Sequence, residues 1–168
     1  IHEFHPEISA ILNITPDHLN RHHTMDCYIK TKEAITTNQT KDEVCVLNYE
    51  DEVLRAFGES APVHVVWFSS ARKLAEGFYL DGEEIFYAHD GNTEKVINVN
   101  DLNLLGRHNY ENVMAATAMS VNFGVPMEKI VEVLKRFQAV EHRIEYVTEK
   151  RGVRFYNDSK GTNPDAAI

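Results

Sequence analysis

The sequence lacks any hydrophobic run of about 18 residues, the length that a membrane-spanning helix needs. No basic segment followed by an apolar one opens the chain, so a signal peptide is not indicated. With 168 residues, of which 43% are hydrophobic, the chain can bury a core of its own. We therefore expect a globular protein of the cytoplasm.

Cysteine and positive charge are also scarce. The two cysteines, Cys27 and Cys45, have no Cys-x-x-Cys spacing, which argues against a disulfide framework or a zinc ribbon. Lys and Arg number 17 against 26 Asp and Glu, the formal net charge is −9, and the basic residues are dispersed. A nonspecific nucleic-acid-binding surface is therefore not expected. An anionic small molecule would need a local group of positive charges.

Local hydrophobic patterns predict an α/β fold with a mixed sheet. Apolar runs typical of buried strands lie at 8–15, 43–51 and 63–70. Segments of helical character at about 25–36 and 51–57 separate them, and this spacing predicts parallel pairing.

The middle of the chain predicts an antiparallel extension of this sheet, followed by two helices. Residues 77–99 alternate between apolar and polar, and Asp81-Gly82 is a strong hairpin-turn signal. Helices are expected at 110–123 and 127–137, each with one apolar face, so the two should pack together.

The last part of the chain is expected to begin a second domain. Residues 143–159 predict two strands, and we place a boundary near Ala139, which gives segments 1–139 and 140–168. The chain starts at Ile1 without Met and stops just inside a predicted helix. We expect it to be a piece of a longer protein.

The loop after the first strand is a candidate ligand site, because ligands often bind at the carboxyl ends of parallel strands. His18 could ligate a metal, with Asp17 as a second ligand or as a partner that orients the imidazole. A hydrogen bond within the loop would explain His18 equally well.

Lys32 is the unusual member of the predicted helix at 25–36. Its spacing from Tyr28 and Ile35 places it on the stripe expected to be buried. Such a lysine could extend its ammonium to solvent, pair with an acid, or lose its proton and react with carbon dioxide.

Two asparagines mark the start of the helix at 110–123. Asn109 is predicted as the N-cap, and Asn112 lies three residues later. An asparagine side chain both donates and accepts, so the pair could instead bind an adenine edge.

The boundary region carries further candidates for anion binding. Arg143 could clamp a phosphate or pair with a nearby glutamate, and Asp158 could bind ribose hydroxyls or cap a turn. Lys160 and Thr162 lie just before a predicted helix start at Asn163, where free N–H groups favour an anion. Ordinary helix capping would also explain this last segment.

Five segments in this order resemble motifs of the Mur ligase family, the ATP-dependent amide ligases of peptidoglycan precursor synthesis. The segments are ILNITPDHLNRH, YIKTK, GRHNYENVMAA, EHRIEYV and NDSKGTNPDAA. The resemblance spans almost the whole chain and covers the later part of the central ATPase domain plus the first strands of a Rossmann-like last domain. The sequences DSK and HRIE are most similar to the branch that adds D-glutamate to UDP-N-acetylmuramoyl-L-alanine through an acyl phosphate.

The resemblance implies ATP and magnesium as cofactors and assigns roles to eight residues. Lys32 matches a carbamylated lysine that helps to hold magnesium, and His18 matches a ligand of the same ion. Asn109 and Asn112 match residues that contact adenine. Arg143 and Asp158 match groups that contact the phosphate and the ribose. Lys160 and Thr162 match residues near the transferred phosphate and D-glutamate. The resemblance implies that the partners are the small-molecule substrates and the other domains of the same polypeptide. It does not imply binding to nucleic acid or to a membrane.

Other functions remain open at this point. Another Mur ligase or a folylpolyglutamate synthetase-type ligase is the nearest alternative. A metal-dependent hydrolase with a carbamylated lysine would need more histidines at strand ends than His18. A noncatalytic nucleotide-binding or protein-binding module is a third possibility if the chain is complete, because the phosphate loop G-x-x-G-K-[ST] does not occur in these residues.

Overall fold

Six strands in chain order form one mixed sheet in the computed structural model, which describes residues 3–16, 19–138, 141–142 and 145–161. The strands are β1 (Ile8–Ile11), β2 (Val44–Asn48), β3 (His64–Ser69), β4 (Gly77–Asp81), β5 (Glu84–His89) and β6 (Asn92–Asn98). The helices are α1 (Leu19–His22), α2 (Met25–Glu33), α3 (Glu52–Gly58), α4 (Arg107–Asn122) and α5 (Met127–Arg136). A separate two-stranded antiparallel sheet consists of β7 (Glu145–Lys150) and β8 (Val153–Asn157).

The first four strands pair in parallel, as the strand-helix-strand spacing predicts for the first three. All five residues of β2 are buried, which is typical of a parallel strand covered on both faces. Alternate residues of β2 enter different cores: Val46 packs toward α4, and Leu47 packs on the opposite face near Leu54 of α3.

The antiparallel extension is confirmed, because β4 pairs antiparallel with β5, and β5 with β6. The first hairpin turns at Gly82, whose φ is 60°. The second turns at Asp90 and Gly91, whose φ angles are 51° and 73°. Aspartate and glycine are favoured at such turn positions.

Helix α4 covers one face of the sheet and contacts β1 to β4. It buries Val113, Met114 and Ala118 against Phe68 and Phe78. The opposite face is covered by α2 and α3. Among the described helices, none combines the length and the hydrophobicity required to cross a membrane.

Candidate functional site

The carboxyl ends of β1, β2 and β3 meet at one edge of the sheet, where the sequence predicts a ligand site. Asp51, which follows β2, accepts a hydrogen bond from the backbone N–H of Ile14 at 2.6 Å. Its other carboxylate oxygen accepts from Val53 N and Leu54 N at 3.0 Å and caps α3. The segment after β1 is therefore tied to the start of α3. His18 and Asp17 lie outside the described residues, so their predicted roles stay predictions.

A charged cluster at the same edge was not anticipated from the sequence. Glu50 accepts from Ser69 Oγ at 2.6 Å, from Arg72 Nε at 2.8 Å and from Arg72 Nη2 at 2.7 Å. The Arg72 guanidinium chiefly, with the Ser69 hydroxyl, holds the pKa of the Glu50 carboxyl below its ordinary value, although partial burial opposes this. This carboxylate has its hydrogen bonds satisfied by protein groups, so we interpret Glu50 as a structural residue.

Lys32 does not lie on a buried stripe, so that prediction was wrong. Its side chain is exposed, and Tyr28 is the buried residue of α2. The Lys32 Nζ atom lies 5.4 Å from the centroid of the Tyr28 ring, within the range of a cation–π contact. Lysine therefore packs along Tyr28 while its ammonium faces solvent, which is one of the alternatives that the sequence left open.

The start of α4 also differs from the prediction. The N-cap is Gly106, with φ of 93°, and the helix begins at Arg107 rather than after Asn109. Asn109 is the third helical residue, and its Nδ2 donates to the carbonyl of Leu105 at 2.6 Å. Its Oδ1 is not used in this bond. Glycine takes the cap position because positive φ is costly for other residues.

Asn112 has the more available amide of the two. Its side chain is exposed and makes no hydrogen bond to any residue within the described ranges. It is one of the residues that line a groove of about 400 Å³ between α4 and α5. Apolar residues form most of the groove wall: Leu104, Val113, Ala116, Val133 and Phe137. An amide beside an apolar surface is suited to a flat heterocycle with a polar edge.

The segment after β8 holds two more of the predicted residues. Lys160 donates its backbone N–H to the carbonyl of His142 at 3.0 Å, and its side chain is exposed. Gly161 donates to the carbonyl of Asp158 at 3.0 Å. A Cβ at Gly161 would approach Asp158 Oδ2 to 2.8 Å, so a side chain there would disturb Asp158. Asp158 and Lys160 therefore share one short turn.

A second network ties this turn to the start of β7. Asn157 Nδ2 lies 2.7 Å from His142 Nδ1 and donates to Glu145 Oε2 at 3.3 Å. The same Glu145 oxygen accepts from the backbone N–H of His142 at 2.9 Å. Glu145 therefore joins His142 to Asn157. Arg143 and Thr162, like the helix start predicted at Asn163, fall outside the described residues.

Comparisons with known protein families and with curated relatives agree on one family. Residues 1–120 match the Mur ligase middle domain. The whole chain is 61% identical to the UDP-N-acetylmuramoylalanine--D-glutamate ligase of Lachnospira eligens and 46% identical to that of Clostridioides difficile. It spans 37% of the length of each of these relatives.

Solved structures agree on the fold. MurF from Acinetobacter baumannii matches 96% of this chain with a TM-score of 0.72 at 22% identity, over 36% of its own length. MurF from Thermotoga maritima, solved in complex with ADP, matches 96% with a TM-score of 0.65 at 18% identity, over 37% of its length. Because the middle-domain match covers most of the chain, this protein belongs to the Mur ligase family.

Proposed function

We propose that the chain is part of an ATP-dependent ligase that adds D-glutamate to UDP-N-acetylmuramoyl-L-alanine in peptidoglycan precursor synthesis. The main support is the 61% identity, over all 168 residues, to a relative that bears this activity as its name. The shared name of the similar relatives favours this reaction over other amide ligations. The cytoplasm is the location that we propose for this reaction.

The proposed reaction activates a carboxylate as an acyl phosphate, and the D-glutamate amine then displaces the phosphate. Protein groups contribute by holding the reactants in place and by stabilising negative charge on the transferring phosphoryl group. In this chain we assign the cationic contribution to Lys160 and Arg143, and a D-glutamate contact to Thr162 and Lys160.

The nucleotide would lie between the two segments of the chain, which we divide near residue 139. The first segment, 1–139, would be the later part of the central ATPase domain, and 140–168 would start the C-terminal domain. We assign the adenine to Asn112 and Asn109, and the ribose and phosphates to Asp158 and Arg143. The observation that carries the adenine assignment is the exposed Asn112 amide beside the apolar groove, whereas the ribose and phosphate assignment rests on the family resemblance alone.

The family resemblance implies a magnesium ion. We assign His18 and the carbamate of Lys32 as its ligands. When bound, the ion would neutralise charge on the phosphate oxygens. The Lys32 side chain is exposed and lies over the Tyr28 ring. Within the described ranges there is no group of three or more His, Cys, Asp or Glu side chains placed to hold a metal. A complete ligand set would therefore need residues outside those ranges.

The test uses a full-length ligase that contains this segment. We expect phosphate release from ATP to require both UDP-N-acetylmuramoyl-L-alanine and D-glutamate, and L-glutamate to be a poor replacement. Phosphate release with a different amino acid, but not with D-glutamate, would contradict the proposed substrate.

The nucleotide assignment is tested with two asparagines of the same helix. Asn112→Ala should raise the KM for ATP about fivefold to tenfold, because a lost polar contact to a base is worth about 1–1.4 kcal/mol. The matched control is Asn122→Ala at the other end of α4, where the side chain donates to Ala118 O at 2.8 Å. Normal ATP kinetics in Asn112→Ala, together with a lower melting temperature, would mean that Asn112 serves only the fold.

A further inference from the structure

The end of β3 is joined to the start of α4 by one serine and two charged side chains. Ser70 follows β3 and has 5% of its surface exposed. Its hydroxyl donates to Glu111 Oε1 and accepts from Arg107 Nε at 2.9 Å, and its backbone carbonyl accepts from Arg107 Nη2. Ser70 lies 37 residues before Arg107 and 41 residues before Glu111 in the sequence.

These contacts use the hydroxyl of Ser70 both as a donor and as an acceptor. Arg107 reaches Ser70 through two separate nitrogens, which fixes the plane of its guanidinium. The first residue of a helix is an unfavourable place for a cation, because the helix dipole is positive at that end. A specific partner such as Ser70 explains why an arginine is accommodated there.

The helix start has no other side-chain anchor of this kind among the described residues. Gly106 is the N-cap and provides no capping side chain. The first turn is closed by backbone bonds to the carbonyl of Gly106, from Asn109 N at 3.0 Å and Tyr110 N at 3.3 Å. These bonds form the turn, but they do not attach it to the sheet. The Ser70 contacts do attach it.

The anchored side chains and the two asparagines lie on different sides of α4. Residues on an α-helix are separated by about 100°, so Arg107 and Glu111 share one face. The mean direction of Asn109 and Asn112 is then about 150° from that face. Ser70, Arg107 and Glu111 can therefore act on the asparagines only by setting the position of the helix.

We propose that Ser70, Arg107 and Glu111 form a positioning cluster that places Asn109 and Asn112 for the nucleotide. This inference rests on the proposed function, in which these asparagines contact adenine. None of the three residues is a catalytic residue. Without the hydroxyl of Ser70, the first two turns of α4 would lose two of these three polar contacts to the end of β3, and only the bond from Arg107 Nη2 to the Ser70 carbonyl would remain. The asparagine amides would then sample a wider range of positions.

The test measures ATP kinetics and thermal stability in a full-length ligase that contains this segment. Ser70→Ala and Glu111→Ala should each raise the KM for ATP about fivefold and leave kcat at saturating ATP within about twofold. Glu111→Gln keeps the oxygen that accepts from Ser70, so its KM should stay near that of the unchanged enzyme. Glu128→Ala, an exposed glutamate in the first turn of α5, is the matched control.

A double variant separates positioning from general destabilisation. Ser70→Ala combined with Glu111→Ala should raise KM no more than Ser70→Ala alone, because Ser70→Ala already removes the hydrogen bond that Glu111→Ala removes. If the two changes together multiplied their separate effects on KM, the three residues would not act as one unit and the proposal would be wrong. The Glu111→Ala and Glu111→Gln pair still decides the question if Ser70→Ala fails to fold. Equal KM values for that pair would refute the proposal.

A parallel Asn112→Ala variant distinguishes the two possible failures. If Asn112→Ala raises the KM for ATP and Ser70→Ala does not, the positioning cluster is wrong and the nucleotide site stands. If neither variant changes KM, the nucleotide site itself is misplaced, and the cluster loses its function with it.

Discussion

Replacing Gly77 by alanine should strongly destabilise the chain, because this glycine lies where the sheet changes from parallel to antiparallel pairing. It is the first residue of β4, it is buried, and its φ is 111°. A Cβ built there would lie 2.3 Å from the backbone carbonyl oxygen of Trp67. Neither atom belongs to a flexible side chain, so the strand itself would have to shift.

The expected magnitude has two parts. Positive φ costs a residue with a Cβ about 1–2 kcal/mol, and forcing extra volume into a packed site costs about 1–3 kcal/mol. Gly77→Ala should therefore lower the free energy of unfolding by about 2–5 kcal/mol. Gly82→Ala is the matched control, since its φ is 60° and a Cβ added to it would have no atom of the described residues within 4 Å. Only the backbone part, about 1–2 kcal/mol, applies there.

Urea unfolding of the 168-residue chain, followed by tryptophan fluorescence, measures both effects. Trp67 is the only tryptophan of the sequence and provides the contacting carbonyl, so the signal reports this part of the sheet. We expect Gly77→Ala to lose at least about 1 kcal/mol more than Gly82→Ala. Equal losses in the two variants would refute the close approach between β3 and β4.

Three further predictions concern the candidate site and its surroundings. Lys32→Ala in a full-length ligase should nearly abolish activity and recover partly with short-chain carboxylates, which replace the carbamate oxygens; full activity without an additive would exclude the carbamate. Arg72 lowers the pKa of the Glu50 carboxyl in the folded chain, so the ionised carboxylate stabilises the fold. This contribution to the free energy of unfolding is complete above the unfolded pKa of about 4.5 and is lost as pH falls through the lower folded pKa. Urea midpoints measured from about pH 6 to about pH 3 should thus fall less steeply in Glu50→Gln than in the unchanged chain, and parallel curves would contradict this. The 168-residue chain alone should bind magnesium-ATP no better than about 1 mM, because it contains no glycine-rich phosphate loop, and a micromolar constant in calorimetric titration would show that the nucleotide site is misplaced.

Local patterns were sufficient for most elements of the fold. The apolar run at β2 predicted a buried strand, and the Asp81-Gly82 signal predicted the first antiparallel hairpin. The order of five short motifs was sufficient for the family. These features depend on residues close in sequence, where backbone propensity and side-chain type act directly.

The first turn of α4 shows how local reasoning fails. Asn109 is a good N-cap by residue type, but Gly106 begins the helix three residues earlier. The positive φ of Gly106 brings the chain from Leu104, which is buried in the core, into the helix. Asn109 then uses its amide to bind Leu105 O inside the helix start. Burial of Leu104 is a tertiary contact, and residue type at position 109 contains no information about it.

What the sequence determined by itself is the set of elements, their order and the family; what the tertiary structure decided is which face of each element meets a partner. Helical periodicity placed Lys32 in line with Tyr28, but it did not show where the buried surface ends, and Lys32 lies beyond that edge. Similarly, Ser70 and Glu111 are 41 residues apart and become partners only because α4 packs across the sheet. The physical reason is that periodicity fixes the angles between residues of one element, whereas contacts between elements depend on how their apolar faces pack.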